Sequence, residues 1–325
     1  MNALYPFKFK PVFKEKIWGG KNLKDTYGFN YAPLSNCGEA WLLSGYEGAE
    51  TEVINGFLAE NTVNELIEVY MGDLVGEKNY EKFGNVFPLL VKAIDTNDWL
   101  SIQVHPDDKL AQSRHASTGK TEMWYVAAAA KDAELICGFN KELDRELYQK
   151  VLSEGNLKDV LNYVHVHVGD VFDIPAGRVH ALGKGLTVFE IQQTSDITYR
   201  IYDFDRKDKN AQLRELHTEL AIDAINFKDL HTGEVDYTLV MNHTIPLIKN
   251  EYFTTSLVKF DTQMVKDYGS LDSFVIWQCV NGSCIVKYEG GSEKLSAGEA
   301  LLIPAVMETV TAVPTSICEL LEVYV

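Results

Sequence analysis

The sequence predicts a mainly β protein of antiparallel sheets arranged as two related units. Three observations predict it. Most of the chain reads as short segments rich in Val, Ile, Phe, Tyr and Trp, broken by Gly, Asn and Asp turns. Helical periodicity is confined to two stretches. A sequence pattern near residue 170 recurs near residue 300.

Taken in order, the strand-like segments are "AWLLSGY", "FPLLVKAIDT", "WLSIQVH", "TEMWYVAAA", "AELICGF", "GLTVFEIQQTS" and "ITYRIYDF". Between them, "NKELDRELYQKVLSEGNLKDVLNYV" has apolar residues at Leu143, Leu147, Val151 and Leu152 with charges between, which predicts an amphipathic helix pair around 140–165. "RELHTELAIDAIN", near Arg214 to Asn226, is the second helical candidate. Composition changes at "NFKDLHTGEVD", a connector, and a second strand-rich block follows, "FVIWQCVNGSCIVKYEGGSEKLSAGEALLIPAV". The expected division is 1–230 and 231–325. Many short strands with regular turn signals indicate a sandwich or barrel, not an α/β sheet.

The repeat aligns "GDVFDIPAGRVH" (Gly169 to His180) with "GEALLIPAVMET" (Gly298 to Thr309). Both begin Gly-acid and share Ile-Pro-Ala, but Val306 stands against Gly177 and Thr309 against His180. The expectation is that the first unit does chemistry and that the second has lost its ligand position.

Composition bounds the function. The chain has 325 residues and a formal charge of −17, with 30 basic against 47 acidic side chains, so a nucleic-acid backbone or an anionic membrane would be repelled. No apolar run approaches the roughly 20 residues needed to cross a bilayer, and the lysine-studded start does not read as a signal peptide. Five scattered cysteines without a C-x-x-C pair argue against a disulfide framework or a thiolate metal site, and for a reducing, cytoplasmic setting.

Three strands carry chemistry. In "LSIQVHPDD", alternation sets Ser101, Gln103 and His105 on one face; in "GKTEMWYV", Lys120, Glu122 and Trp124 share a face. In "EIQQTSDITYRIYD" the same reading aligns Gln192, Thr194, Asp196, Thr198 and Arg200. A polar interior is costly unless it holds a ligand or a metal. His105, Glu122 and His180 would supply two imidazoles and a carboxylate, with Gln103 as a neutral oxygen donor. Nitrogen and oxygen donors without sulfur suit one Zn²⁺ in an open site, with Mn²⁺, Fe²⁺ or Co²⁺ as alternatives. "GDVFDIPAGRVH" fits the second cupin motif, G-x5-P-x-G-x2-H, at Gly169, Pro175, Gly177 and His180. Its Pro-x-Gly turn aims the histidine inward. The nearby pair His165 and His167 has ligand spacing but precedes the motif, and it is expected to face outward. His115 is expected in a solvated loop.

Together these motifs resemble the type I mannose-6-phosphate isomerases (phosphomannose isomerases), in their short bacterial form. The resemblance runs through "IWGG", "GEAWLLSG", "FPLLVKAIDTNDWLSIQVHPDD", "GKTEMWYV", "IPAGRVHALGKG" and "EIQQTSDITYRIYDFDR". It implies two cupin-type jelly-roll antiparallel β-barrels with a small helical segment, the second degenerate and without metal ligands. It implies one Zn²⁺ on Gln103, His105, Glu122 and His180, and a pocket lined by Lys120, Asp196 and Arg200. Ser101 and Lys120 match positions linked to phosphate binding or proton handling. The implied reaction interconverts D-mannose 6-phosphate and D-fructose 6-phosphate through a cis-enediol, with Lys120 or Asp196 moving the proton and Arg200 stabilising negative charge. Lys120, Arg200 and Arg114 are the cations available to a phosphate. Arg178, where threonine is common in the family, is expected on a surface turn. The chain is expected as a monomer or homodimer.

Two other classes fit parts of the pattern. A cupin oxygenase would use Fe²⁺ or Mn²⁺, but Gln103 occupies the slot of its first histidine. A sugar-phosphate-binding protein without catalysis would not need Lys120, Asp196 and Arg200 together.

Overall fold

The computed structural model describes residues 4–208 and 210–325. The chain forms two compact units that interleave along the sequence. One unit comprises Lys14–Glu39 and Ile94–Val235; the other comprises the N-terminal segment through Phe13, Ala40–Ala93 and Asp236–Val325. The linear division at 230/231 therefore gives way to an interleaved one. The reason is strand pairing at long range: Phe7 lies opposite Leu302, and Phe9 opposite Val53.

The first unit carries the histidine motif. Its strands are β1 (Ile102–Val104), β2 (Glu122–Ala129), β3 (Glu134–Phe139), β4 (Leu161–His165), β5 (Val171–Ile174), β6 (His180–Leu182), β7 (Leu186–Gln193) and β8 (Tyr199–Tyr202). One sheet runs β8–β1–β6–β3–β4, and β5–β2–β7 are neighbours in another, all antiparallel. The sheets are open, not closed as the expected barrels, since the five-stranded sheet ends at β8 and β4.

Two apolar clusters bury both faces of that five-stranded sheet. Leu135, Cys137 and Leu182 meet Trp124, Val126, Phe172, Ile174 and Val188 in one cluster. On the opposite face, Ile102, Val104, Ile136, Ala181 and Ile201 pack under Tyr148 and Val151 of helix Arg145–Ser153 and Ala221 and Ile222 of helix Thr218–Ala224. Strand alternation thus sends Ala181 to the helices and leaves His180 and Leu182 facing inward. The expected helix pair is half right. After Arg145–Ser153 comes a 3₁₀ turn, Leu157–Val160, and then "LNYVH" forms β4, where its alternating burial suits a strand.

In the other unit a seven-stranded sheet includes Thr254–Phe260, Cys318–Tyr324, Val275–Asn281 and Ala300–Ile303, beside a four-stranded sheet that includes Met264–Asp267 and Thr309–Pro314. One cluster of fifteen buried residues, among them Trp277, Leu301 and Leu320, packs within this unit. Helix Val63–Val75 is an element the periodicity reading passed over. Thr62 and Glu65 cap it reciprocally, side chain to backbone in both directions, and the Thr-x-x-Glu spacing was there to be read.

Candidate metal centre

Glu122 opens β2 and His180 opens β6, while Gln103 sits in the middle of β1. Residues directly opposite in an antiparallel pair share a face. His180 is opposite both Gln103 and Cys137, and Gln103 is opposite Arg200, so one row of the inner face reads Cys137, His180, Gln103, Arg200. Across the interior, Glu122 is opposite Gln192, and Trp124 is opposite Glu190. His105 follows β1 and stands beside His180, with ring centroids 4.7 Å apart.

Ligating atoms of His105, Glu122 and His180 all lie within 4.8 Å of one another, and all three residues are buried. The Nε2 of His180 is 3.4 Å from Glu122 Oε1, and that of His105 is 3.5 Å from Oε2. The Gln103 amide lies 3.2 Å from His180 Nε2. Each imidazole donates its Nδ1–H to a backbone carbonyl at 2.9 Å, His105 to Ile197 and His180 to Arg178. That fixes the tautomer in which the Nε2 lone pair faces the cluster, as metal-binding histidines require. Burial pushes the His180 imidazolium down to about 3, so the ring is neutral. Two neutral imidazoles, a carboxylate and an amide fit a divalent transition metal.

Lys120 completes the cluster. It is buried, hydrogen-bonds Glu122, and holds Nζ 3.0 Å from His105 Nε2. A local network positions it: the Lys120 N–H donates to Pro106 O at 3.1 Å, and Asp108 accepts from Gly119 N at 2.7 Å and from the Gln193 amide at 2.9 Å. The Pro-Ala-Gly turn docks by Gly177 N donating to His105 O at 2.9 Å, with Gly177 at φ +89°. This conformation suits glycine. Ser101 is buried, its hydroxyl 3.5 Å from Gln103 Oε1.

Arg200 shares the inner row, half-buried, and its Nη1 donates to Glu215 O at 2.8 Å. Burial and the neighbouring Arg214 lower its pKa from the ordinary guanidinium value. Asp196 is not brought in with the others. The continuous strand expected from Gln192 to Arg200 breaks after Gln193 and resumes at Tyr199, because the chain there crosses between sheets. The Gln192 amide ties the crossing by donating to Gln193 O and Ser195 O at 2.8 and 2.6 Å, and Asp196 is exposed on it.

The remaining candidates fall away from the centre. His165 and His167 keep 71% and 84% of their side-chain surface in solvent, as expected of an outward row. His115 ends helix Asp108–His115 and hydrogen-bonds the Tyr199 hydroxyl at 2.8 Å, so it is not a loop residue. Arg114 is ion-paired with Asp223. Arg178 corrects the expectation of a surface turn. It is 6% exposed, and its Nε and Nη2 lie 2.8 and 2.7 Å from Asp229 Oδ2.

The second unit repeats this architecture with other side chains. Trp277 lies opposite Leu301 and Glu322, as Trp124 lies opposite Phe172 and Glu190. Val275, opposite Ile303, takes the place of Glu122, opposite Ile174. The Pro304 turn matches the Pro175 turn, with N–H···O bonds spanning three residues at 3.0 and 3.1 Å. Beyond it the alignment slips by one: Thr309 is exposed, and Val310 faces the core opposite Lys266. The counterparts of Gln103, His105, Glu122 and His180 are therefore Lys266, Tyr268, Val275 and Val310. Lys266 Nζ sits 2.9 Å from Glu322, and the Tyr268 hydroxyl links Glu322 to Trp277 Nε1. A partly buried ammonium stands where the first unit gathers its candidate donors.

Fold and donor set define a β protein with a buried imidazole–carboxylate cluster, able to hold a metal ion, between two sheets. Residues 6–141 match the type I phosphomannose isomerase catalytic domain. The chain is 39% identical to a mannose-6-phosphate isomerase of Bacillus subtilis over 259 residues, covering 77% of this chain and 78% of that one. It is 37% identical to a mannose-6-phosphate isomerase of Streptococcus mutans over 254 residues, 77% of each. A crystal structure of the mannose 6-phosphate isomerase from Bacillus subtilis superimposes with a TM-score of 0.88 at 32% identity, over 98% of this chain and 99% of that one. The chain belongs to the type I phosphomannose isomerase family.

Proposed function

We propose that the chain interconverts D-mannose 6-phosphate and D-fructose 6-phosphate through a cis-enediol, with one Zn²⁺ held by Gln103, His105, Glu122 and His180. The observation that carries this reading is the convergence of Lys120 and three buried donors on one point, with Arg200 in the same inner row. Bound there, the ion supplies Lewis-acid polarisation of a substrate oxygen.

The chain's own groups do the rest. Once the sugar ring is open, isomerisation removes a proton from the carbon beside the carbonyl and returns one to its neighbour. Lys120 is the proton carrier: it is buried at the centre and already hydrogen-bonded to an imidazole and a carboxylate. Asp196, exposed on the crossing loop, is assigned a contact at the mouth and no proton transfer. Arg200 stays protonated and stabilises the negative charge that builds on the enediol oxygens. Ser101 and Arg200 are the proposed contacts for the substrate's polar groups.

The test is a coupled assay for fructose 6-phosphate formed from mannose 6-phosphate, with elemental analysis of the same sample. Turnover should need the metal, and Arg200→Ala should abolish it while metal content holds. Full activity after chelation would sink the metal reading. No turnover by the metal-loaded protein would sink the isomerase reading.

A further inference from the structure

We propose that Asp203 is a positioning residue for Arg200: its buried carboxylate clips together the two ends of the loop that orients the Arg200 guanidinium. The inference rests on the proposed role of Arg200.

Arg200 lies on β8, and the loop that leaves β8 returns to hold it. The Arg200 N–H donates to His217 Nδ1 at 3.1 Å, the His217 N–H donates to Arg200 O at 2.7 Å, and Arg200 Nη1 donates to Glu215 O. The side chain is thus aimed by a segment some fifteen residues downstream, not by its own strand. Its Nε is buried with no hydrogen-bond partner among the described residues, a spare donor beside the site.

A segment that aims a catalytic group must itself be fixed, and Asp203 fixes it. The carboxylate, 5% exposed, accepts from Arg206 Nη2 at 2.6 Å and from Arg214 Nε at 2.7 Å, with a second bond from Arg214 Nη2. Arg214 directly precedes Glu215, so this grip reaches the Arg200 acceptor through one peptide unit. Arg206 anchors the other end, reaching Asp98 at 3.3 Å and the Trp99 carbonyl. Between β8 and Arg206 the backbone passes through left-handed conformations at Phe204 (φ 56°) and Asp205 (φ 55°), which persist only when the surroundings enforce them. Asp203 also sets charge. It is the carboxylate shared by Arg206 and Arg214, and its field opposes the push of those guanidiniums on Arg200. A misplacement of about 1 Å in a catalytic group costs roughly 100-fold in rate.

The experiment compares wild type, Asp203→Asn, Asp203→Glu, Arg200→Lys and the double variant Arg200→Lys/Asp203→Asn, with metal content and melting temperature recorded for each. Asp203→Asn should lower kcat by about tenfold to 100-fold, with metal content unchanged and a smaller effect on KM. Asp203→Glu should recover part of the loss. In the Arg200→Lys background, adding Asp203→Asn should change kcat less than about twofold, because residues acting as a unit are non-additive. An unchanged kcat in Asp203→Asn, or the same fold loss in both backgrounds, overturns the proposal in favour of a structural role. If Asp203→Asn does not fold, Arg214→Gln releases the same end of the clip and takes its place in the cycle.

A second readout does not depend on turnover. The Arg200 Nε–H resonance, assigned by its absence in Arg200→Lys, should be protected from exchange in wild type and lose that protection in Asp203→Asn. Unchanged protection overturns the proposal. If wild type forms no fructose 6-phosphate, the proposed function fails and this resonance alone decides the role of Asp203.

Discussion

Arg178→Thr removes the guanidinium from the Pro-Ala-Gly turn, and its effect separates a surface turn from a buried ion pair. In this chain the guanidinium is 6% exposed, donates through Nε and Nη2 to Asp229 and through Nη1 to the Asp173 carbonyl. Threonine would leave Asp229, with 9% of its side chain exposed, a buried carboxylate without its cation. Breaking such a pair costs about 3–5 kcal/mol. At about 2–4 °C per kcal/mol for a domain of 150–250 residues, the melting temperature should fall by roughly 6–20 °C. The loss should also depend on pH. Burial raises the Asp173 carboxyl above its ordinary value, and Arg178 pulls the other way. A carboxyl whose folded pKa is raised favours folding most below about pH 3.9, and that contribution disappears as pH rises through the folded value. Without Arg178 the raised direction strengthens, so the deficit of Arg178→Thr should be smaller near pH 4 than near pH 8. Scanning calorimetry of both proteins at the two pH values measures it. A change within about 0.5 kcal/mol, typical of surface substitutions, or a deficit that does not shrink in acid, would refute the reasoning.

Elemental analysis of His180→Ala should find the metal lost, whereas His165→Ala and His167→Ala should retain it; metal loss from the latter pair would move the centre to the exposed histidines. Lys266→Met should destabilise the second unit by about 3 kcal/mol, since it strands the buried Glu322 carboxylate. Adding Glu322→Gln should recover much of that loss in urea denaturation, and no recovery would refute the charge argument. Thr62→Ala removes the reciprocal cap of helix Val63–Val75 and should cost about 1 kcal/mol by the same measurement.

The sequence by itself determined the β class and singled out four candidate donors, three of which the fold gathers into one buried cluster. Both are local properties: side-chain alternation has a period of two, and a Pro-x-Gly turn aims the residue that follows it. Gln103, Glu122 and His180 come from parity and motif alone, and so does the dismissal of His165 and His167. The Thr62 cap was equally local and legible. Only the tertiary structure decided the rest, because those features are set by partners distant in sequence. Asp196 stands exposed, apart from the buried cluster, because the chain changes sheets between Gln193 and Tyr199, and parity has no meaning across a crossing loop. Arg178 became a buried ion because Asp229, fifty-one positions away, comes to meet it. The second unit's copy of the centre slipped by one residue after the Pro304 turn, so Val310, and not Thr309, faces inward opposite Lys266. A one-residue slip reverses every side chain on a strand. Sequence fixes which way a side chain points within one strand; what it meets there depends on which strands the fold brings alongside.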